Sequence, residues 1–146
     1  MNKNSKILLI DNEERMTESL KTLLEMEGYS VKTFTDSEKA SDFLKENSFD
    51  LVITDIKMPA VDGLEILNRA HQKDPLLEVI LMTGYASLES AVEAVRLGAW
   101  DYVTKPCRAA DLKRRIDEFF ASAESRRRGP ARQERQAHGG QKQGRY

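Results

Sequence analysis

Residues 51–59 read Leu51-Val52-Ile53-Thr54-Asp55-Ile56-Lys57-Met58-Pro59, and this stretch decides the fold. Three consecutive aliphatic residues leave no polar alternation, so a strand here must be covered on both faces, as in a parallel sheet between helices. The apolar run stops at a carboxylate, Asp55. Lys57-Met58-Pro59 then turns the chain, and Asp62-Gly63 marks a second turn ahead of the next helix. Working outward, the same unit recurs five times: a β-rich run, a turn, then a segment of helical period. The runs lie at 6–10, 29–34, 51–54, 79–82 and 100–104. The first and fourth (Ile7-Leu8-Leu9-Ile10, Val79-Ile80-Leu81-Met82) are continuously apolar like the third. The second sets Val31 and Phe34 among polar residues, which suits a sheet edge.

Between the runs the apolar spacing changes to 3.6 residues. Met16, Leu20, Leu23 and Leu24 share one face, with Gly28 as the stop. Ala40, Phe43 and Leu44 form a second stripe, and Leu64, Leu67 and Ala70 a third. The fourth is Ala91, Val92 and Val95, with Ser87 as N-cap and Gly98 as stop. Leu112, Ile116, Phe119, Phe120 and Ala123 form the fifth. Alternating strands and helices imply right-handed crossovers with helices on both faces. Five units cannot close an eight-stranded barrel, so the expectation is an open, doubly wound flavodoxin-like (βα)5 sheet with five parallel strands in the order 2-1-3-4-5. That order sets the first and third strands side by side at the topological switch point, where ligands bind beyond the strands' carboxyl ends.

Composition divides the chain in two. From Glu124 onward seven Lys/Arg face two acids, a net +5, leaving −6 on residues 1–123 of an overall −1. The expected domain is therefore 1–123, followed by a basic tail, 124–146, punctuated by Gly129-Pro130 and Gly139-Gly140. Aliphatic residues vanish from Ser125, so this part is expected to stay disordered, as a solvated linker or an electrostatic contact with an acidic partner or nucleic acid. No apolar run approaches the roughly 20 residues of a membrane span. The run 7–10 is too short for a signal peptide, which points to a cytoplasmic protein. One cysteine, Cys107, excludes an internal disulfide, and with only His71 and His138 beside it a structural zinc site is not expected. Cys107 reads as a small residue packed at the start of the last helix, Trp100 as a packing aromatic, and both histidines as exposed.

The chemistry gathers at the strand ends. Asp11-Asn12-Glu13 follows the first strand, Asp55 the third, Thr83 the fourth and Lys105-Pro106 the fifth. In the expected fold these meet on one rim. Two carboxylates, a hydroxyl and an ammonium suit a hard cation and a phosphoryl group: oxygen ligands favour Mg²⁺, and the Lys and hydroxyl can hold phosphoryl oxygens. A carboxylate is also a nucleophile toward phosphorus, giving an aspartyl phosphate. Taken singly, each residue has a plainer role. Asp55 and Asp11 can cap turns or helices, Thr83 can be a β-branched strand end, Lys105 a solvated turn lysine and Tyr102 a packing aromatic.

Taken together, in order, residues 6–120 resemble the receiver domains of two-component response regulators (CheY-like). The likeness rests on Ile7-Leu8-Leu9-Ile10-Asp11, Asp55-Ile56-Lys57-Met58-Pro59 with Asp62-Gly63, Met82-Thr83-Gly84 and Lys105-Pro106. Leu81 to Ala86, continued by Gly98-Ala99-Trp100-Asp101-Tyr102, most resembles receivers of enhancer-binding (NtrC-type) transcriptional activators. The resemblance implies that Asp55 is the phospho-acceptor and that Asp11 helps hold Mg²⁺. It implies that Lys57 offers a main-chain carbonyl to the metal, and that Thr83 and Lys105 engage the phosphoryl group. Tyr102 is implied as the switch aromatic coupled to Thr83. It further implies a sensor histidine kinase or phosphotransfer protein as donor, and a downstream partner or output domain, with homodimerisation another outcome, at the face of the fourth helix, fifth strand and fifth helix. Such a receiver assists its own phosphorylation and hydrolysis but is a switch, not a metabolic enzyme.

One departure stands out. The family's second acid is here Asn12, an uncharged metal ligand, so weaker Mg²⁺ binding is expected. Tyr85, two after Thr83, is expected to shield an acyl phosphate from water. Two alternatives compete: a degenerate receiver that only binds partners, and a small phosphatase of the haloacid-dehalogenase type. The latter's nucleophile motif needs a second Asp where this chain has Lys57. No P-loop or DNA-binding helix-turn-helix is recognisable.

Overall fold

The computed structural model describes residues 5–84 and 88–128. Ten elements alternate along it: β1 (Lys6–Ile10), α1 (Glu14–Met26), β2 (Ser30–Phe34), α2 (Ser37–Glu46), β3 (Leu51–Asp55), α3 (Gly63–Lys73), β4 (Glu78–Thr83), α4 (Leu88–Arg96), β5 (Asp101–Thr104) and α5 (Ala109–Arg128). All strand pairings are parallel and the order is β2-β1-β3-β4-β5. This is the flavodoxin-like sheet expected from the sequence, with each strand within one residue of its expected bounds.

The continuous aliphatic runs supply two cores at once, because alternate side chains of a strand face opposite layers. Ile7, Leu9, Leu51, Ile53, Ile80 and Met82 face one layer, where α1 contributes Leu20 and Leu24 and α5 contributes Leu112, Ile116, Phe119 and Phe120. Leu8, Ile10, Val52, Val79 and Leu81 face the other, against Ala40, Leu44, Ile66, Leu67, Ala70 and Ala94 of α2, α3 and α4. Trp100 packs edge-on against Phe119, with ring centroids 5.2 Å apart. The fifth stripe and the role of Trp100 are thus as expected. Cys107 is half-buried against the α1/α5 layer.

Both glycine stops close their helices in the same way. Gly28 (φ 98°) donates to Glu25 O at 3.0 Å while Tyr29 donates to Leu24 O at 3.2 Å. Gly98 (φ 87°) donates to Val95 O at 3.1 Å while Ala99 donates to Ala94 O at 3.0 Å. These pairs satisfy orphan carbonyls at the helix end and need a left-handed residue there.

Several expectations are corrected. On α4 the side chain turned to the core is Ala94, whereas Val92 is 49% exposed. Apolar residues at 91, 92, 94 and 95 cover two adjoining helix faces, so their period does not choose between them. On α3 Ile66 is fully buried and Leu64 only partly. His71 is half-buried, not exposed: its ring lies where a Cβ on Gly98 would come within 3.3 Å, and its Nε2 is buried without a hydrogen-bond partner among the described residues. The last helix continues to Arg128, past the boundary expected at 123. Ser87, Tyr85, His138 and the tail from 129 lie outside the described residues. No described helix is long and apolar enough to cross a membrane.

α3 begins where it does because Gly63 fits against β3. Its N–H donates to Ile56 O at 2.8 Å, and a Cβ at this position would sit 2.3 Å from Asp55 O and 2.7 Å from Ile56 Cα. Backbone cannot yield as a flexible side chain can. Gly63→Ala is therefore expected to cost about 1–3 kcal/mol, the range for overpacking a filled site, read as a lower urea midpoint at unchanged slope.

Candidate functional site

The switch point between β1 and β3 brings the expected residues together. Asp11 directly follows β1 and is fully buried, Asp55 ends β3 at 6% exposure, and Lys105 follows β5. The Lys105 Nζ donates to Asp11 Oδ2 at 2.8 Å, to Asp55 Oδ2 at 3.1 Å and to Glu13 Oε1 at 2.9 Å. Asp11 Oδ1 accepts the Glu13 N–H at 2.9 Å, which fixes the carboxylate at the entrance to α1. Asn12 is exposed and lines, with Asp55, Lys57, Gly84 and Lys105, an open cavity of about 1020 Å³.

The loop after Asp55 is held rigidly. Pro59-Ala60-Val61 form a γ-turn, with Val61 N donating to Pro59 O at 2.8 Å and Ala60 at φ 68°. The buried Ser37 hydroxyl, at the start of α2, donates to Pro59 O at 2.8 Å and accepts from Val61 N at 3.2 Å. Ser37 and Gly63 are thus supports of the loop. The Asp-Gly pair was a visible signal for Gly63, but nothing local in the sequence marks Ser37, which acts across 22 residues.

Burial raises the Asp55 carboxyl above its ordinary value. Lys105 opposes the shift, nearby Asp11 adds to it, and a backbone hydrogen bond from Lys57 opposes it. For Lys105, burial works against the charged form, but the hydrogen bonds it donates to Asp11, Glu13 and Asp55 outweigh it and hold the ammonium above the usual lysine range.

Thr83 is 1% exposed and ends β4, one residue past Met82, the register partner of Asp55. Its carbonyl accepts the Lys105 N–H at 2.7 Å. Tyr102 lies on β5 opposite Leu81, buried in the α2/α3/α4 layer, and its Oη is 2.6 Å from Ser90 Oγ on α4. Asp101, beside it, pairs with Arg115 of α5 at 2.8 Å and accepts the Tyr102 N–H at 2.8 Å. The fifth strand is therefore tied by polar groups to both helices that flank it. Ser90 was not singled out in the sequence; a serine inside a helix carries no signal of a tyrosine twelve residues on.

The donor set suits a divalent cation in its chemistry: hard oxygens only, and two buried carboxylates plus Glu13 against one ammonium. No group of three or more His, Cys, Asp or Glu side chains is preformed as a metal cage among the described residues. The carboxylates instead converge on Lys105.

A doubly wound sheet carrying an acid–ammonium centre at its switch point is the architecture of a phosphorylation-controlled signalling module. The comparisons give the family: residues 7–117 match the response regulator receiver domain, and the chain belongs to that family. Among its relatives is the transcriptional regulatory protein FixJ of Bradyrhizobium diazoefficiens, 36% identical over 118 residues, covering 81% of this chain and 58% of FixJ. The chain spans only 22–28% of the length of seven other regulators it resembles. Among solved structures, a CheY-like receiver domain protein from Methanospirillum hungatei superposes with a TM-score of 0.79 at 34% identity, covering 84% of this chain and 98% of that one. A Burkholderia pseudomallei response regulator, solved with a phosphorylated aspartic acid, calcium ion and citrate, gives 0.68 at 28% identity, covering 75% and 64%. Nothing in these likenesses favours a phosphatase.

Two outcomes follow. The Asp55 carboxyl ionises at higher pH in the folded chain than in the unfolded one, so its ionised form costs stability at neutral pH and the cost disappears on acidification. Asp55→Asn should melt above wild type at pH 7, and the gap should close as pH falls below the ordinary carboxylate value; a gap that widens on acidification would contradict the sign. For the β5–α4 tie, Ser90→Ala and Tyr102→Phe should each cost about 0.5–1.5 kcal/mol, and the double variant no more than the larger. Additive losses in urea unfolding would show that the two hydroxyls do not act as a pair.

Proposed function

We propose that this receiver accepts a phosphoryl group on Asp55 from a histidine kinase or phosphotransfer protein, in a Mg²⁺-dependent step, and that the product alters a surface built by α4, β5 and α5. The observation that carries the proposal is the grip of one ammonium on two buried carboxylates at the mouth of an open cavity. A carboxylate oxygen of Asp55 attacks phosphorus, the bond from phosphorus to the donor's imidazole nitrogen breaks, and the electron pair leaves with the imidazole. Asp11, Asp55, the Asn12 amide and the Lys57 carbonyl are the groups that would hold Mg²⁺. The ion, when bound, would offset charge on the transferring oxygens.

Lys105 then exchanges a carboxylate partner for a phosphoryl oxygen, and Thr83 supplies a hydroxyl at the end of β4. Tyr102, on β5 three residues before Lys105, reports the change to α4 through Ser90. The phosphoryl group favours one of two existing states through these contacts. Val92, half-exposed on α4, and Arg96 belong to the surface so altered. Its occupant is an output domain, another protein or a second copy of the chain. A cytoplasmic location fits a kinase-fed switch, and the module limits its chemistry to its own phosphorylation and hydrolysis.

Acetyl phosphate with Mg²⁺ should add one phosphoryl mass to the intact chain. The label should be absent from Asp55→Asn and from wild type treated with chelator, and a generic phosphate ester should not be turned over. An unlabelled wild type at saturating Mg²⁺ would instead identify a receiver that only binds partners, the reading that Asn12 favours.

A further inference from the structure

The loss of an acid at position 12 leaves a question of charge that the neighbouring residue answers. We propose that Glu13 is a cation-site residue in this chain, supplying the third negative charge that Asn12 lacks. The inference rests on the Mg²⁺-dependent reading of the site.

Glu13 occupies the N-cap of α1 with an extended backbone (φ −93°, ψ 102°), yet its side chain makes no cap hydrogen bond. The short side chains of Asp, Asn, Ser and Thr reach back to cap the amides of their own helix, and the longer Glu13 does not. Here it turns the other way. Its Oε1 lies 2.9 Å from Lys105 Nζ, the nitrogen that also holds Asp11 at 2.8 Å and Asp55 at 3.1 Å. Three carboxylate oxygens thus lie within 3.1 Å of one nitrogen. Glu13 lines the same cavity as Asn12, Asp55 and Lys57, and Arg15 stands exposed at its rim.

The charge count follows. Asp11, Asp55 and Glu13 bring three negative charges against one positive charge on Lys105, a surplus of two that a divalent cation balances. With Asn12 alone beside Asp11 and Asp55, the surplus would be one. Glu13 is 64% exposed while Asp11 is fully buried, so their duties differ. Asp11 is a fixed anion, whereas Glu13 is a long, solvated arm able to leave Lys105 and meet the incoming ion directly or through one of its waters, which Mg²⁺ readily keeps. Because it attracts an ion across partly aqueous space, its contribution is electrostatic and sensitive to salt.

The test is Mg²⁺ binding to the full chain, with no phosphodonor present, by calorimetry in four proteins: wild type, Glu13→Gln, Asn12→Asp and the double variant. Glutamine keeps the shape of Glu13 and removes only its charge, and the residue is exposed, so the fold is retained and circular dichroism will verify it. Glu13→Gln should weaken Mg²⁺ about five- to tenfold at low ionic strength, less at high salt. Asn12→Asp should tighten it, and in that background Glu13→Gln should change the affinity by less than about twofold, because the missing charge has been restored beside it. Equal affinities of wild type and Glu13→Gln would overturn the inference, as would an equal loss in both backgrounds. The reading beneath it fails separately: a wild type that shows neither Mg²⁺ heat nor acetyl phosphate labelling would remove both, whereas normal binding and labelling with a silent Glu13→Gln removes only the role of Glu13.

Discussion

One nitrogen organises this molecule's functional edge. The Lys105 ammonium touches carboxylates that follow β1 and end β3, while its own backbone continues β5. Burying Asp11 and Asp55 side by side is costly without a counter-charge, since each loses hydration and each repels the other. Lys105 offsets that cost, incompletely at Asp55, whose carboxyl stays above its ordinary value chiefly through burial. The edge is therefore held together by a pairing that is tight in geometry and poised in energy.

The two layers behind it are unequal. The α1/α5 side is filled by Leu24, Ile116, Phe119, Phe120 and Trp100, with Tyr29 stacked on Phe120 at 5.1 Å, and long side chains interlock there. On the other side, the buried side chain of α4 among the described residues is the small Ala94, with Ala91 packed against the same core and Ser90 in polar contact with Tyr102. Small side chains and a hydroxyl give up less buried area on moving than aromatics do. The β3–α3 loop is the opposite case, fixed by Gly63 under Asp55 and by Ser37 across the γ-turn. Asp55 is anchored, and the described α4 side chains that reach the core beside Tyr102 are small.

Much of this was legible from residue patterns. Continuous aliphatic runs at 7–10, 51–53 and 79–82 declare strands buried on both faces, and their alternation with helical stripes leaves few topologies open. Asp11, Asp55, Thr83 and Lys105 could be placed on one rim before any coordinates, because strand ends in a parallel sheet share an edge. Other features were not legible, for a physical reason in each case. The inward face of α4 was missed because its apolar residues occupy two neighbouring faces. His71 was misplaced because the space it fills is the absent side chain of Gly98, a contact between distant segments. Glu13 stands at the first strand end without a role in the sequence reading, since a sequence does not show which way its side chain turns.

The direction of signal flow follows from where charge can and cannot accumulate. In the proposed reaction a phosphoryl group brings further negative charge to a position where burial already penalises one carboxylate. Asp11 cannot move away, for its Oδ1 is fixed by the Glu13 amide and it has no exposed surface. Relief has to come from the cations, and Lys105 is the protein's own. Its side chain can change partners, but its backbone is bound to Thr83 O on β4, and Tyr102 lies three residues earlier, on β5. In that proposal a rearrangement at Lys105 is felt first by β4 and β5, whose polar contacts reach α4 through Ser90 and α5 through Arg115. The loop at Asp55 is anchored by Gly63 and Ser37, so in the proposed reaction the change passes along β4 and β5 and not into the loop.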